Sequence, residues 1–120
     1  MPALTRVLGA VTAAYSVTII AAPRVLAKPC GLTTPTGEVT AAVRTLTAGI
    51  GARDAAIGLA MVFAPAGKPL RTALAARVAS DAADAVVFGT GLPDRSARKK
   101  VAAFATAWAA LCAASALVPW

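Results

Sequence analysis

Two consecutive apolar segments, residues 39–64 and 70–92, carry ionisable side chains near their centres. Each segment is long enough to cross a bilayer as a helix, which takes about 20 residues. The central charged residues are Arg44, Arg53 and Asp54 in the first segment and Arg77, Asp81 and Asp84 in the second. Because an unpaired charge in apolar surroundings is costly, we expect these groups to pair across an interface between two helices.

The composition is too apolar for an ordinary soluble domain. Of the 120 residues, 58% are hydrophobic and 14% are charged, against about 25% charged in an average soluble protein. Four apolar segments fill nearly the whole chain. The sequence therefore predicts a single all-α domain, a four-transmembrane-helix antiparallel bundle, with helices at about 4–22, 39–64, 70–92 and 98–119. A soluble alanine-rich bundle is the alternative, since alanine is only marginally membrane-seeking.

The first apolar segment, residues 4–22, has two interpretations. A single Arg6 followed by an apolar run is also typical of a secretory signal. We predict an uncleaved helix, because the segment is long enough to span a membrane and three further spans follow it. The proline- and glycine-rich stretch 23–38 is predicted to be a loop, either a lid over the bundle or a plain connector.

Basic residues in the connections predict the orientation. One face is flanked by Arg24, Lys28, Arg95, Arg98, Lys99 and Lys100, and the other by Arg6, Lys68 and Arg71. Because cytoplasmic loops carry the excess of Lys and Arg, we expect a multi-pass cell-membrane protein. Its termini would lie outside, and loops 23–38 and 93–100 would be cytoplasmic. Trp120 would join the aromatic belt at an interface, whereas Trp108, near mid-span, should face protein.

Several classes of function are disfavoured by the residues that the chain contains. The net charge of +7 does not indicate nucleic-acid binding, since basic residues are not interleaved with aromatic ones. The chain has no histidine, and its two cysteines, Cys30 and Cys112, are predicted to lie too far apart for a disulfide. The usual zinc and haem ligands are therefore missing, and we expect no metal and no cofactor.

Helical periodicity arranges the central charges into two stripes. On the second helix one sector holds Arg44, Thr47, Gly51, Asp54 and Gly58, and on the third another holds Arg77, Ser80, Asp81, Asp84 and Phe88. The stripes are expected to face each other across antiparallel neighbours. The two glycines would allow close backbone approach or leave room for a ligand.

The depth of each residue in its helix predicts the pairing. Counting about 1.5 Å per residue from each helix midpoint places Asp54 level with Arg77. Arg44 would then reach toward Asp84. The partner of Arg53 is left open, since it points toward the first or fourth helix, where Tyr15 could join the network.

Acid–base chemistry is the function that this constellation favours. Asp81 and Asp84 lie one helical turn apart, and their mutual repulsion in a low dielectric would keep one of them protonated. A neutral carboxylic acid beside an ionised one can donate and accept protons. Arg77 or Arg44 would hold the ionised partner or a developing oxyanion. The alternative is an ion-pair network that only fixes helix register.

These residues define a candidate site in a membrane-embedded, cofactor-independent enzyme. The reaction would be an isomerisation, a cyclisation or a hydrolytic epoxide opening on a small lipophilic molecule. The candidate catalytic residues are Asp81, Asp84, Asp54 and Arg77, and the candidate substrate-binding residues are Arg44, Arg53, Tyr15, Phe88 and Trp108. The alternatives are a proton- or cation-linked transporter or channel-like homo-oligomer, and a structural membrane subunit.

The motif Arg44, then GxRDxxxG from Gly51 to Gly58, then Arg77 and a DxxD from Asp81 to Asp84, carries a family resemblance. It resembles an uncharacterised family of small four-helix integral membrane proteins, catalogued as a domain of unknown function. The resemblance implies a four-helix membrane fold and no particular reaction. Members of that family often have a histidine at the start of the last helix, where this chain has Arg98-Lys99-Lys100.

Overall fold

The computed structural model of the chain describes residues 2–118, and every regular element in that range is a helix. The helices are α1 (Pro2–Ala21), α2 (Arg24–Ala27), α3 (Ala41–Phe63), α4 (Lys68–Gly91) and α5 (Arg95–Ser115). The all-α prediction is confirmed, and the four long helices fall on the four apolar segments. The one-turn helix α2 lies within the stretch predicted to be loop. Trp120, which is expected in an interfacial belt, lies outside the described residues.

Local capping decides where the helices begin. The side chain of Thr40 accepts a hydrogen bond from the Val43 backbone N–H at 3.3 Å and starts α3. Asp94 accepts in the same way from the Ser96 N–H at 2.9 Å and starts α5. Gly67, at φ +103°, turns the chain into α4, a turn that favours glycine because it has no Cβ.

Two arginines cap the carboxyl ends of neighbouring helices. Arg6 donates to the Ala64 carbonyl oxygen at 3.0 Å and also to that of Val62, at the end of α3. Arg98 donates to the Leu92 carbonyl oxygen at the end of α4. A cation at a helix C-terminus satisfies free carbonyls and complements the helix dipole, so both arginines fix helix ends.

The long helices form two antiparallel pairs, and α1 packs on α3 through glycine. A Cβ added at Gly58 would lie 2.7 Å from the Gly9 carbonyl oxygen and 2.8 Å from the Ala13 nitrogen. A Cβ added at Gly51 would lie 2.9 Å from the Ser16 carbonyl oxygen. The two backbones are therefore in direct contact. The other pair is formed by α4 and α5, and the two pairs meet more loosely across α3 and α4.

The glycine stripe of α3 thus faces α1, and the prediction that it faces the third long helix is wrong. The reason is angular. Asp54 lies about 40–60° around the helix from Gly51 and Gly58, at 3.6 residues per turn. This offset lets the side-chain-free strip pack against α1 while Asp54 reaches α4.

Polar side chains are buried in the bundle, and large apolar side chains cover much of its surface. The buried polar residues are Thr5, Thr12, Ser16, Thr47, Arg77, Asp81 and Ser115. The exposed apolar residues include Val7, Val17, Leu46, Leu59, Phe63, Val86, Val87, Phe104 and Leu111. Buried polar groups are the informative part of this pattern, since single exposed apolar residues are common in any protein.

The buried polar side chains are paired with one another or with the backbone. Thr5 and Ser115 share a hydrogen bond of 2.8 Å between α1 and α5, and Trp108 donates to Thr12 at 3.3 Å. Trp108 therefore faces protein, as predicted. Within residues 2–118 no buried side-chain nitrogen or oxygen lacks a hydrogen-bond partner.

Two helices, α1 and α3, are long and apolar enough to cross a membrane.

The connection between α1 and α3 folds back over one end of the bundle. Cys30 is buried there with Leu92 and Ala97, and Leu26 and Leu32 pack against the same cluster. Gly31, at φ +70°, brings the chain beside Asp94, where a Cβ would be 3.1 Å from the Asp94 Cβ. Of the two predicted roles for this stretch, the packing is that of a lid.

Cysteine labelling is expected to report this packing. Cys30 and Cys112 are free thiols, each exposed by 1% or less. Burial also raises the pKa of the Cys30 thiol, which lowers its reactive thiolate fraction at neutral pH. In a Cys112→Ala variant we expect a maleimide to label Cys30 at least about tenfold more slowly than after denaturation.

The matched control is Lys99→Cys in a variant without the two native cysteines. Lys99 is exposed at the same end of the bundle, so its replacement should label at the rate of the denatured chain. Equal labelling rates at the two positions would contradict the packing of residues 23–38 on the bundle.

Candidate functional site

A cavity of about 410 Å³ lies between the two helix pairs. All four long helices line it, and Leu26 and Pro29 close it at the end covered by residues 23–38. Most of its wall is apolar and includes Val11, Ile19, Ile50, Phe88, Val101, Phe104 and Ala105. Its exposed apolar lining residues include Phe104 (64%), on α5, and Val11 and Tyr15, on α1. The cavity therefore opens sideways, between α1 and α5.

Five charged residues are linked by ion pairs, here called the ion chain, and all of them except Arg53 line one wall of the cavity. In order they are Asp84, Arg53, Asp54, Arg77 and Asp81. Arg53 donates to both oxygens of Asp84, at 3.2 and 2.8 Å, and through Nε to Asp54 Oδ1 at 2.9 Å. Acid and base alternate along the ion chain, which is the arrangement that lets each guanidinium neutralise two neighbours.

Arg77 forms the deep half of the ion chain. Its Nε donates to Asp81 Oδ2 at 3.0 Å and its Nη2 to Asp81 Oδ1 at 2.5 Å. The same Nη2 lies 3.1 Å from Asp54 Oδ1. Arg77 is only 1% exposed. A guanidinium so deeply buried is tolerated because carboxylates surround it, and the planar fork of arginine suits such two-point contacts.

Two atoms of the ion chain remain available to a ligand. Within the described part of the chain, neither Asp54 Oδ2 nor Arg77 Nη1 has a hydrogen-bond partner. Every buried side-chain nitrogen or oxygen among the described residues has a hydrogen-bond partner. Because these two atoms have none, they are not buried in the protein. Both residues line the cavity. A bound molecule would therefore meet a carboxylate acceptor and a guanidinium donor side by side.

The charges of the ion chain do not cancel. Three carboxylates face two guanidinium groups, which leaves one negative charge when all five are ionised. An excess charge in an apolar setting favours uptake of a proton or of a positive group. The ion chain is thus suited to holding and passing on one proton.

The predicted pairings are partly confirmed. Asp54 and Arg77 lie together as expected. The expectation that Arg44 reaches Asp84 is wrong, because Arg44 is exposed and forms no ion pair with any residue from 2 to 118. The residue that pairs with Asp84 is Arg53. Arg44 precedes Asp54 by ten residues, about 15 Å along the helix, whereas Arg53 is adjacent to it and level with Asp84.

The predicted aromatic residues all reach the cavity. Tyr15, Phe88 and Trp108 line it. Sequence reasoning missed Phe104, whose ring stacks on that of Trp108 with centroids 6.5 Å apart and planes within 6°. Their spacing of four residues on one helix was the available signal, since such pairs share a helix face.

A second hollow of about 460 Å³ adjoins the cavity at the end covered by residues 23–38. We call it the basic hollow, since its lining includes Arg24, Lys28 and Lys100. Asp94 and Ser96, at the start of α5, complete its polar wall. Pro29 and Lys100 line both spaces, so the two lie side by side. In the sequence, these basic residues indicated only membrane topology.

Comparison with protein-family models, curated proteins and solved structures found no match to this chain. The resemblance based on the GxRDxxxG and DxxD motifs therefore remains an expectation.

Proposed function

We propose that the chain is an integral membrane protein in which all four long helices span the bilayer. These helices contain 20, 23, 24 and 21 residues, close to the length that a bilayer core requires. Large apolar residues cover the outside of the bundle, while arginine and aspartate lie inside it. Charged residues in membrane helices typically face the bundle interior in this way.

The helices α4 and α5 are less apolar on average than α1 and α3, and the positions of their charged residues explain the difference. In α4 the ionisable residues Arg77 and Asp81 are buried, so they lower the average without reaching the outer surface. In α5 the basic residues occur in the first two turns, and no charged residue follows Lys100. Basic residues at one end of an apolar helix are typical of a membrane interface.

We further propose that the site performs cofactor-independent proton transfer on a small lipophilic molecule, with isomerisation as the best-supported reaction. Asp54 lines the cavity, and its Oδ2 is an acceptor without a hydrogen-bond partner among residues 2–118. Arg77 also lines the cavity, and its Nη1 is a donor without such a partner. A carbonyl oxygen of the substrate would accept from Arg77, and Asp54 would remove a proton from the adjacent carbon.

Return of that proton to another carbon completes an isomerisation without any external reagent. The electron pair left on the first carbon moves toward the carbonyl oxygen, where Arg77 stabilises the charge. In a β,γ-unsaturated substrate the electron pair then returns to form a double bond between the α and β carbons, while the electrons of the original β,γ double bond take the proton at the γ carbon. Asp81 and Asp84 hold the two guanidinium groups in place, so they are positioning residues. The observation that carries the proposal is an acceptor and a donor without hydrogen-bond partners on residues that line a mainly apolar cavity.

Deuterium exchange tests the proposal even though the substrate is unidentified. The protein in neutral detergent is incubated in heavy water with the lipophilic extract of its expression host, and the extract is examined by mass spectrometry. We expect one or more lipophilic compounds to gain solvent deuterium at carbon. In Asp54→Asn the rate should fall by about 10²–10⁴-fold, the usual contribution of a general base.

The control is Arg44→Gln, because Arg44 is exposed and unpaired among residues 2–118. It should exchange like the wild type. Size-exclusion profiles and melting temperatures establish that each variant is folded. Equal exchange by the wild type and a folded Asp54→Asn variant would contradict a catalytic role for the ion chain.

A structural role for the ion chain is the second candidate. Its members join α3 to α4, which pack less closely than α1 and α3. Under this interpretation Asp54→Asn would destabilise the bundle and no deuterium would enter any compound even with the wild type. A channel-like oligomer is less well supported, because the ion chain and cavity lie within one copy of the chain.

A further inference from the structure

The cavity and the basic hollow together have the shape and chemistry of an amphiphile. The cavity is mainly apolar, and at its covered end Ile19, Leu26 and Val101 form the wall. Beyond them the basic hollow presents Arg24, Lys28 and Lys100. A molecule that filled both spaces would need an apolar body and an anionic end.

The cations of the basic hollow are free to bind an anion. In the described range, Arg24, Lys28 and Lys100 form no ion pair. The hollow's one carboxylate, Asp94, uses an oxygen to cap α5. Three positive charges against one negative charge leave a net attraction for an anion. Under the proposed topology this hollow lies at the membrane surface, where long basic side chains reach lipid phosphates.

The volume of the cavity limits the size of the apolar part of the ligand. About 410 Å³ lies near the lower end of the volume range for small-molecule sites. Such a space suits one chain and not the two chains of a bilayer phospholipid. The sideways opening between α1 and α5 would let this chain enter from the lipid without crossing water.

The helix geometry also fixes the spacing between the anionic end and the ion chain. Gly89 of α4 faces Ala102 of α5, where an added Cβ would lie 3.1 Å from the Ala102 Cβ. Lys100 therefore lies at the level of Gly89 or beyond it. Asp81 is eight residues deeper on α4, which is about 12 Å at 1.5 Å per residue. A ligand whose anionic end lies in the hollow would therefore meet Asp84 about 7.5 Å along its chain and Asp81 about 12 Å along it.

We propose that the substrate of this site is a single-chain anionic amphiphile with a phosphate or carboxylate end. Arg24, Lys28 and Lys100 bind the anionic end, and the chain runs through the cavity to Asp54 and Arg77. This inference rests on the proposed membrane function, and it adds the substrate class and the direction in which the substrate lies.

Trp108 supplies the binding signal, because its ring lines the cavity. The chain has two tryptophans, so Trp120→Phe provides a background in which Trp108 is the only one. Its fluorescence is recorded while dodecyl phosphate is titrated into the protein in neutral dodecyl maltoside micelles. We expect a saturable change. In the double variant Lys28→Gln, Lys100→Gln the apparent Kd should rise by about tenfold or more, through loss of two charge-assisted contacts.

The matched control is the double variant Arg95→Gln, Lys99→Gln. It removes the same charge from the same end of the bundle, at two exposed residues that line neither space. Its Kd should stay within about twofold of the parent, given salt screening at the surface. Equal weakening in both double variants would overturn the proposal, because it would mean that only general surface charge attracts the probe.

Two further titrations identify what the hollow binds. Sodium phosphate should not displace dodecyl phosphate at equal concentration, and dodecanol should bind more weakly than dodecyl phosphate. Displacement by phosphate alone, or equal binding of dodecanol, would overturn the amphiphile proposal. The absence of saturable binding by the parent would overturn it as well.

Failure of this inference is distinguishable from failure of the proposed function. Asp54→Asn leaves the basic hollow intact, so it should still bind dodecyl phosphate. Binding without deuterium exchange would reject the catalytic proposal and retain the ligand class. Exchange that survives in Lys28→Gln, Lys100→Gln with unchanged rate and substrate dependence would reject the ligand class and retain the chemistry.

Discussion

Replacing Arg77 with leucine is expected to lower the free energy of unfolding by about 3–5 kcal/mol, the usual cost of removing one partner from a buried charge network. Arg77 is 1% exposed and holds both Asp81 and Asp54. Without it, Asp81 loses its ion-pair partner in an apolar interior, and Asp54 keeps only Arg53. The measurement is denaturant-induced unfolding in detergent micelles, followed by circular dichroism.

Arg44→Leu is the control, because Arg44 is exposed on α3 and free of ion pairs within residues 2–118. We expect it to change stability by less than about 0.5 kcal/mol. Adding Asp81→Asn to Arg77→Leu should restore part of the loss, because it removes one unpaired carboxylate. Additive destabilisation in this double-mutant cycle would mean that the two side chains do not interact.

Gly58→Ala is expected to destabilise the bundle by about 1–3 kcal/mol, toward the upper end of the usual range for overpacking. The new Cβ would lie 2.7 Å from the Gly9 carbonyl oxygen and 2.8 Å from the Ala13 nitrogen. Both are backbone atoms, so no rotamer change can relieve the contact. The helices α1 and α3 would have to separate, and unfolding in micelles measures the cost.

Gly49→Ala is the matched control on the same helix. A Cβ at Gly49 meets no atom within 4 Å among the described residues, so the substitution only improves helix propensity. We expect stability to rise by up to about 1 kcal/mol. If both alanine variants stabilised the protein, α1 and α3 would not be in backbone contact at Gly58.

The positions of the helices were predictable from the sequence because apolar length and chain breakers determine them. Pro65, Gly67 and Pro93 lie between the apolar segments, at points where a helix cannot easily continue. The pairing of Asp54 with Arg77 was predictable for a related reason. On two antiparallel helices joined by a tight turn, residues at equal distance from the turn lie at equal depth.

The choice between two neighbours of α3 was not predictable from the sequence. Gly51 and Gly58 lie within about 60° of Asp54, so periodicity assigned them to one face. Whether that face meets α1 or α4 depends on how closely each helix can approach, which is a property of both partners. The ion-pair partners of Arg53 and Arg44 were also not predictable, since a long side chain can reach either side of a helix.

The basic hollow also lay beyond sequence reasoning. Arg24, Lys28 and Lys100 are far apart in the chain, and each alone is typical of a loop that sets membrane topology. Only the folding back of residues 23–38 onto the start of α5 brings them together. A contact between distant loops leaves no local pattern in composition or spacing.

The order of pairing within the ion chain bears on biogenesis. Arg77 and Asp81 are partners on one helix, and Arg53 and Asp54 are neighbours on another. In the proposed topology Arg53 and Arg77 would therefore each leave the translocon already paired with a carboxylate of the same helix, which lowers the cost of insertion. Only Asp84 depends on a different helix, and its bond to Arg53 would form when the inserted hairpins associate.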